Sequence, residues 1–188
     1  MIWRRFISGY RFGPGLILLG AMLAVPALAA TEAVAPEPLP AKSSIAGSGL
    51  PIPRFVSIAS ARVNLRVGPG RQFPIAWILQ RRHLPVEVIG EFEHWRKIRE
   101  PGGDVGWVHK TMLSGKRMAM VIGNSKTGAP IPAYEKAALG KMVLMAEDGA
   151  IGEISTCKEE WCAIAFEKDG GWMRRDTLWG VYPAEEFN

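Results

Sequence analysis

Two cysteines, Cys157 and Cys162, flank Lys158-Glu159-Glu160-Trp161. Such a pair can close a disulfide, ligate a metal or supply a nucleophilic thiol. A nucleophile needs a histidine held against it. All three histidines, His83, His94 and His109, lie well upstream of the pair. The same separation argues against a Cys2His2 zinc site. A disulfide fits best: across a hairpin with a four-residue loop, positions i and i+5 face each other. Opposed Cα atoms about 4.5–5.5 Å apart suit a bridge. A loop this short adds only about 2 kcal/mol through the unfolded state. Glu159 and Glu160 fall in the turn and read as a solvated face. The sequence carries no Gly-rich phosphate loop, Ser-His-Asp set or metal motif. No catalytic residue, metal or cofactor is therefore expected.

Tryptophan is the other informative residue type. Trp95 precedes Ile98 by three positions, as Trp161 precedes Ile164. On a strand, residues three apart face opposite sides, so an inward isoleucine leaves the tryptophan outside unless a bulge intervenes. An outward indole offers a flat apolar face and one donor, suited to a peptide or sugar ring. With Arg66 close by, Trp95 could hold an acidic peptide stem; alternatively, each tryptophan caps an open barrel end. Trp107 and Trp172 each follow a glycine in a late strand and read as core residues.

The elements that must position these residues come in two copies. Glu87-Val88-Ile89, Trp95, Ile98, Gly106-Trp107-Val108 and Leu113 recur as Glu153-Ile154, Trp161, Ile164, Gly171-Trp172-Met173 and Leu178. The copies begin about 66 residues apart, so each is a whole small domain. Leu84–Phe92, Trp95–Arg99 and Val105–His109 read as strands separated by Glu-His and Pro-Gly-Gly-Asp turns. Ala133–Leu144 is the nearest approach to an amphipathic helix. Several short strands in about 60 residues imply an all-β protein built of two small, strongly bent barrels. The cysteines align with Glu91 and Arg96 of the first copy. A cross-strand ion pair is therefore expected where the sister hairpin has a disulfide, worth about 0.2–1 kcal/mol if exposed.

The 188 residues carry a formal charge of +5. Arg4, Arg5 and Arg11, the apolar run Leu16 to Val25 and Ala27-Leu28-Ala29 have the layout of a signal peptide over residues 1–29. The run is too short, and too soon followed by Pro26, for a convincing membrane span. Cleavage leaves +2, which removes most of the basicity that would suggest nucleic acid. A periplasmic or secreted location is expected, with retention as an N-terminal anchor the alternative. Residues 30–53 are rich in Ala, Pro, Ser and Gly and read as a flexible tether. Residues 54–117 then carry 12 basic and 5 acidic side chains, and residues 118–188 carry 7 and 11. A basic domain thus adjoins an acidic one. The asymmetry suits mutual docking, or a patch of Arg62, Arg66, Arg71, Arg81 and Arg82 for an anionic partner.

Val63-Asn64-Leu65-Arg66-Val67-Gly68-Pro69-Gly70, then Phe73-Pro74-Ile75, resembles the opening of a bacterial SH3-type domain. Trp95-Arg96-Lys97-Ile98 and Gly106-Trp107-Val108 resemble that family's later strand motifs. The region 54–186, ending in Leu178-Trp179-Gly180-Val181-Tyr182-Pro183, is similar to exported proteobacterial proteins with two such domains in tandem. The resemblance implies SH3-like domains at 54–117 and 118–188. It also implies non-catalytic binding of cell-wall peptide or glycan, or of an envelope protein such as an enzyme or secretion complex. The candidate binding residues are Asn64, Arg66, Trp77 and Trp95. The second copy departs from the pattern. It has Ile131-Pro132-Ala133-Tyr134 in place of the Asn-Leu-Arg arm and lacks the Gly-Pro-Gly turn.

Overall fold

A computed structural model describes residues 47–123, 128–138 and 140–187. The expected signal segment and residues 30–46 of the tether lie outside the described residues. The chain is all-β, in two seven-stranded antiparallel sheets. The first contains β1 (Arg54–Ile58), β2 (Val63–Arg66), β3 (Ile75–Leu79), β4 (Pro85–Phe92), β5 (Trp95–Arg99), β6 (Val105–His109) and β7 (Leu113–Ser114). The second contains β8 (Met118–Val121), β9 (Ile131–Tyr134), β10 (Met142–Ala146), β11 (Ile151–Lys158), β12 (Trp161–Ala165), β13 (Gly170–Arg174) and β14 (Leu178–Trp179). A single 3-10 turn precedes the last strand of each, at Lys110–Met112 and Arg175–Thr177.

The strand orders are β3-β2-β6-β5-β4-β1-β7 and β10-β9-β13-β12-β11-β8-β14, one order used twice. The repeat seen in the sequence is therefore a repeat of topology. Bulges recur in step, between Val88 and Gly90 in β4 and between Ile154 and Thr156 in β11. An extra residue at that point increases the local bend, which a small barrel needs to close. Alternation along the strands fills each core: Val63, Leu65, Val86, Val88, Ile98 and Val108 in the first, Val121, Ala133, Ile154, Ile164 and Met173 in the second.

The glycine before each late tryptophan has a packing reason. A Cβ on Gly106 would meet Leu65 at 2.5 Å and the Arg66 carbonyl at 3.0 Å. The bare backbone lets β2 close over β6. Trp107 and Trp172 consequently sit on the opposite face and are half-buried, while Val108 and Met173 beside them form the core. The expectation of core tryptophans is corrected by the strand's alternation.

Ala133–Leu144 is not helical. Its ends belong to β9 and β10, which pair with each other from Tyr134–Met142 to Ile131–Ala146. This agrees with the all-β reading of the sequence, in which no helical stretch stands out.

The barrels meet through an aromatic contact. The Phe55 ring lies 5.3 Å from that of Trp179, edge-on, and 4.7 Å from that of Tyr182. Trp179 Nε1 donates to the Pro85 carbonyl at 3.1 Å, and the Tyr182 hydroxyl donates to Glu87 at 3.0 Å. Burial, then the Glu87 contact, raises the Tyr182 pKa, so the phenol stays protonated as the donor. Met120 and Ile151 of the second sheet also pack on the first core. Docking is thus led by apolar contact rather than by the opposite net charges.

Candidate ligand-binding groove

Cys157 and Cys162 pair across β11 and β12 and are joined by a disulfide, as the spacing predicts. The hairpin is tighter than expected. Lys158 also pairs with Trp161, leaving a two-residue turn, Glu159-Glu160, with Glu159 at a φ of 50°. The first barrel repeats this with Phe92 paired to Trp95 and a Glu93-His94 turn. Glu91 and Arg96 pair at the cysteine-equivalent position, 3.0 Å apart. That ion pair is buried: the two side chains are 1% and 7% exposed. Arg54 also contacts Glu91, and the backbone N–H and hydroxyl of Ser48 donate to it. Burial alone would raise the Glu91 pKa, but these hydrogen bonds and cations lower it to about 2. The end of the tether is therefore fastened to the first barrel at Ser48.

β2, β5 and β6 bring three of the four candidate binding residues together. Asn64, Arg66 and Trp95 line one open groove of about 410 Å3, with Arg62, Arg71, His109 and Met112. Arg66 pairs with Trp107 across the β2–β6 ladder, and Trp95 pairs with His109 across β5–β6. One Arg66 nitrogen donates to the Phe73 carbonyl at 2.7 Å, which ties the Gly-Pro-Gly loop to the barrel. Gly68 lets that loop close, since a Cβ there would overlap the Phe73 ring. Trp95 is half-buried and meets the His109 ring edge-on at 5.5 Å. Burial first, then His94 and the nearby cations, lowers the His109 pKa, so the imidazole is neutral at neutral pH. The groove therefore presents three guanidiniums, one amide and one indole face and, among the described residues, no carboxylate.

Trp77 stands elsewhere. It lies on edge strand β3, 57% exposed, and does not line the groove. Ile75 and Ile78 are exposed on the same strand. Arg62 and Arg71 belong to the basic patch read from the sequence. Sequence reasoning missed His109 and Met112 as groove residues; the Trp95–His109 strand register places the first of these.

The chain also matches a known family over most of this region. The model of the bacterial SH3 domain family matches residues 59–115 and 129–180. The chain belongs to that family. Both matched segments fall within the two sheets described above, so each sheet is a bacterial SH3 domain. No curated protein matches the sequence. Solved structures similar to it include NlpC1 from Trichomonas vaginalis, at 17% identity and a TM-score of 0.32, covering 74% of this chain and 51% of that one. NlpC2 from the same organism matches at 13% identity and 0.31, covering 72% and 51%. The chain spans about half the length of these two proteins.

The second SH3 domain shows what the first leaves open. Tyr134 takes the place of Arg66, pairing with Trp172 as Arg66 pairs with Trp107. Its ring meets Trp161 edge-on at 5.7 Å, and Trp161 is only 8% exposed. Pro132 replaces Asn64, and Arg174 replaces His109 in the register with tryptophan. Arg174 is already paired with Glu160 and Asp176.

Proposed function

We propose that this protein is a non-catalytic binding module of the cell envelope, exported by its N-terminal segment, whose first SH3 domain holds cell-wall peptide or glycan. The observation that carries this reading is the open groove with Arg62, Arg66 and Arg71 around Trp95 and, among the described residues, no acidic side chain. Guanidiniums bind carboxylates with two aligned donors. An indole face beside them suits the apolar part of a peptide or the face of a sugar. Wall peptide stems combine these features. Arg66 binds a carboxylate, Asn64 supplies an amide for backbone or hydroxyl groups, and Trp95 forms the platform.

Co-sedimentation of the full protein with purified cell-wall sacculi tests the proposal. The native protein is expected in the pellet, and Trp95→Ala and Arg66→Ala in the supernatant. A native protein that stays in solution would sink the reading.

A second reading rests on a different observation. Ile75, Trp77 and Ile78 leave an apolar edge strand exposed, the kind of edge that accepts a strand from another protein. On that reading the protein is an interaction module for an envelope enzyme or secretion complex. It predicts no sacculus retention, and partner capture lost on Trp77→Lys. Turnover of the wall material would instead revive a hydrolase.

A further inference from the structure

A second concavity, of about 680 Å3, lies between the two barrels. Its volume is within the roughly 300–1,000 Å3 range of small-molecule sites. Arg81, Arg82 and His83, in the turn leading into β4, form one wall. Glu167 and Asp169, with Lys168 between them in the β12–β13 turn, form the other. Between the walls, Lys116 and Glu153 neutralise each other at 2.7 Å. Arg81 reaches across to the Gly149 carbonyl.

The two walls carry opposite charge and yet do not close on each other. Among the described residues, no ion pair joins Arg82 to Glu167 or Asp169. The barrels are held together elsewhere, by Phe55, Trp179 and Tyr182. Opposite charges held apart across an open cleft form a field suited to a molecule with a charge of each sign. His83 holds the backbone of the basic wall in place. Its φ is 65°, a left-handed conformation that is strained for a residue with a Cβ. Its backbone N–H is pinned to the Ile58 carbonyl at 2.8 Å. Its Nδ1 is shielded from solvent and has no hydrogen-bond partner. That nitrogen is not reached from the open cleft, so the groups this wall offers a ligand are the exposed Arg81 and Arg82 guanidiniums.

From this we infer that the inter-barrel cleft binds a short peptide with both termini free. Its carboxylate lies against Arg81 and Arg82, and its amine lies against Glu167 and Asp169. This site is distinct from the Trp95 groove, shares no residue with it and uses both barrels. It gives a reason for the two SH3 domains to be fixed together.

The test is an amide-resolved NMR titration of the full protein with unblocked Ala-Ala-Ala, its N-acetyl form and its C-amide form. The unblocked peptide is expected to shift the amides of Arg82, His83 and Glu167 through Asp169. Each blocked form should bind about fivefold more weakly, the loss expected for one partly exposed charge contact. Arg82→Ala should weaken the unblocked peptide and abolish the effect of the C-amide, while Arg66→Ala leaves the cleft shifts unchanged. Three results would each overturn the inference: no cleft shifts up to about 10 mM peptide, roughly tenfold above a millimolar Kd; equal binding of blocked and unblocked forms; or shifts confined to the Trp95 groove. The blocked peptides need no variant, so their result stands even if a substitution disturbs folding.

Discussion

The two SH3 domains share one strand order but fasten the same hairpin with different chemistry. The second uses the Cys157–Cys162 disulfide, and the first uses the buried Glu91–Arg96 pair. A flanking segment covers the same place in each. Ser48 donates to Glu91 in the first barrel, and Phe187 bridges to Cys157 in the second. Arg54 serves the first of these contacts, while Arg117 in the second bonds Glu185 and lies over the Phe187 ring. The fold thus requires a fastened hairpin and leaves its chemistry free. The groove shows the reverse. There the residue types differ, Tyr134, Pro132 and Arg174 standing for Arg66, Asn64 and His109, and the Tyr134 ring lies against Trp161 where the first barrel is open and cationic.

The largest separation between the barrels should come from Glu91. Glu91→Gln leaves Arg54 and Arg96 without their carboxylate and should cost the first barrel about 3–5 kcal/mol. Urea unfolding followed by domain-resolved NMR would show it. Acid should act the same way. The Glu91 pKa falls from 4.5 unfolded to about 2 folded. Its stabilisation is therefore complete above pH 4.5 and is lost as pH falls from there towards 2, about 3 kcal/mol in all. The disulfide does not titrate, so the first barrel should loosen at a higher pH than the second. Equal acid sensitivity would break the comparison.

Reduction should reverse the order. Opening Cys157–Cys162 is expected to cost the second barrel about 2 kcal/mol and the first none directly. The check is the urea midpoint with and without reductant, resolved by domain. Tyr134→Ala should cost about 0.5–1.5 kcal/mol for the lost ring pair and expose Trp161 to a fluorescence quencher. A Trp161 that stays shielded would mean that Tyr134 is not what closes the second groove. Tyr182→Phe removes only the bond to Glu87, which keeps Arg99 at 3.1 Å. The expected loss is about 1 kcal/mol, seen as easier separation of the barrels in hydrogen exchange at the Phe55 contact.

Features set by local spacing were legible in the sequence. Cys157 and Cys162 are close along the chain, so hairpin geometry alone predicts their bridge. Repeat alignment then carries the prediction over to Glu91 and Arg96. Asn64, Arg66 and Trp95 were proposed together because their strand motifs match a known order. What spacing did not reveal depends on distant contacts. Ser48 and Arg54 reach Glu91 across 43 and 37 residues, which turns a supposed surface pair into a buried network. Tyr134 filling the second groove depends on the β9–β13 register, invisible from composition. Ala133–Leu144 resembled a helix most nearly because a four-residue and a five-residue strand carry too few periods to distinguish 2.0 from 3.6. The inter-barrel cleft joins segments whose neighbourhood only the docked pair defines.

The central claim is that an open, cationic groove in the first barrel, and its closure in the second, decides wall binding. Arg66→Tyr places in the first barrel the residue that closes the second. Its co-sedimentation with sacculi, beside the native protein and a Tyr134→Ala control of equal circular dichroism, is the direct test. The native protein and Tyr134→Ala should pellet while Arg66→Tyr stays in solution. Retention of Arg66→Tyr at the native level would contradict the claim.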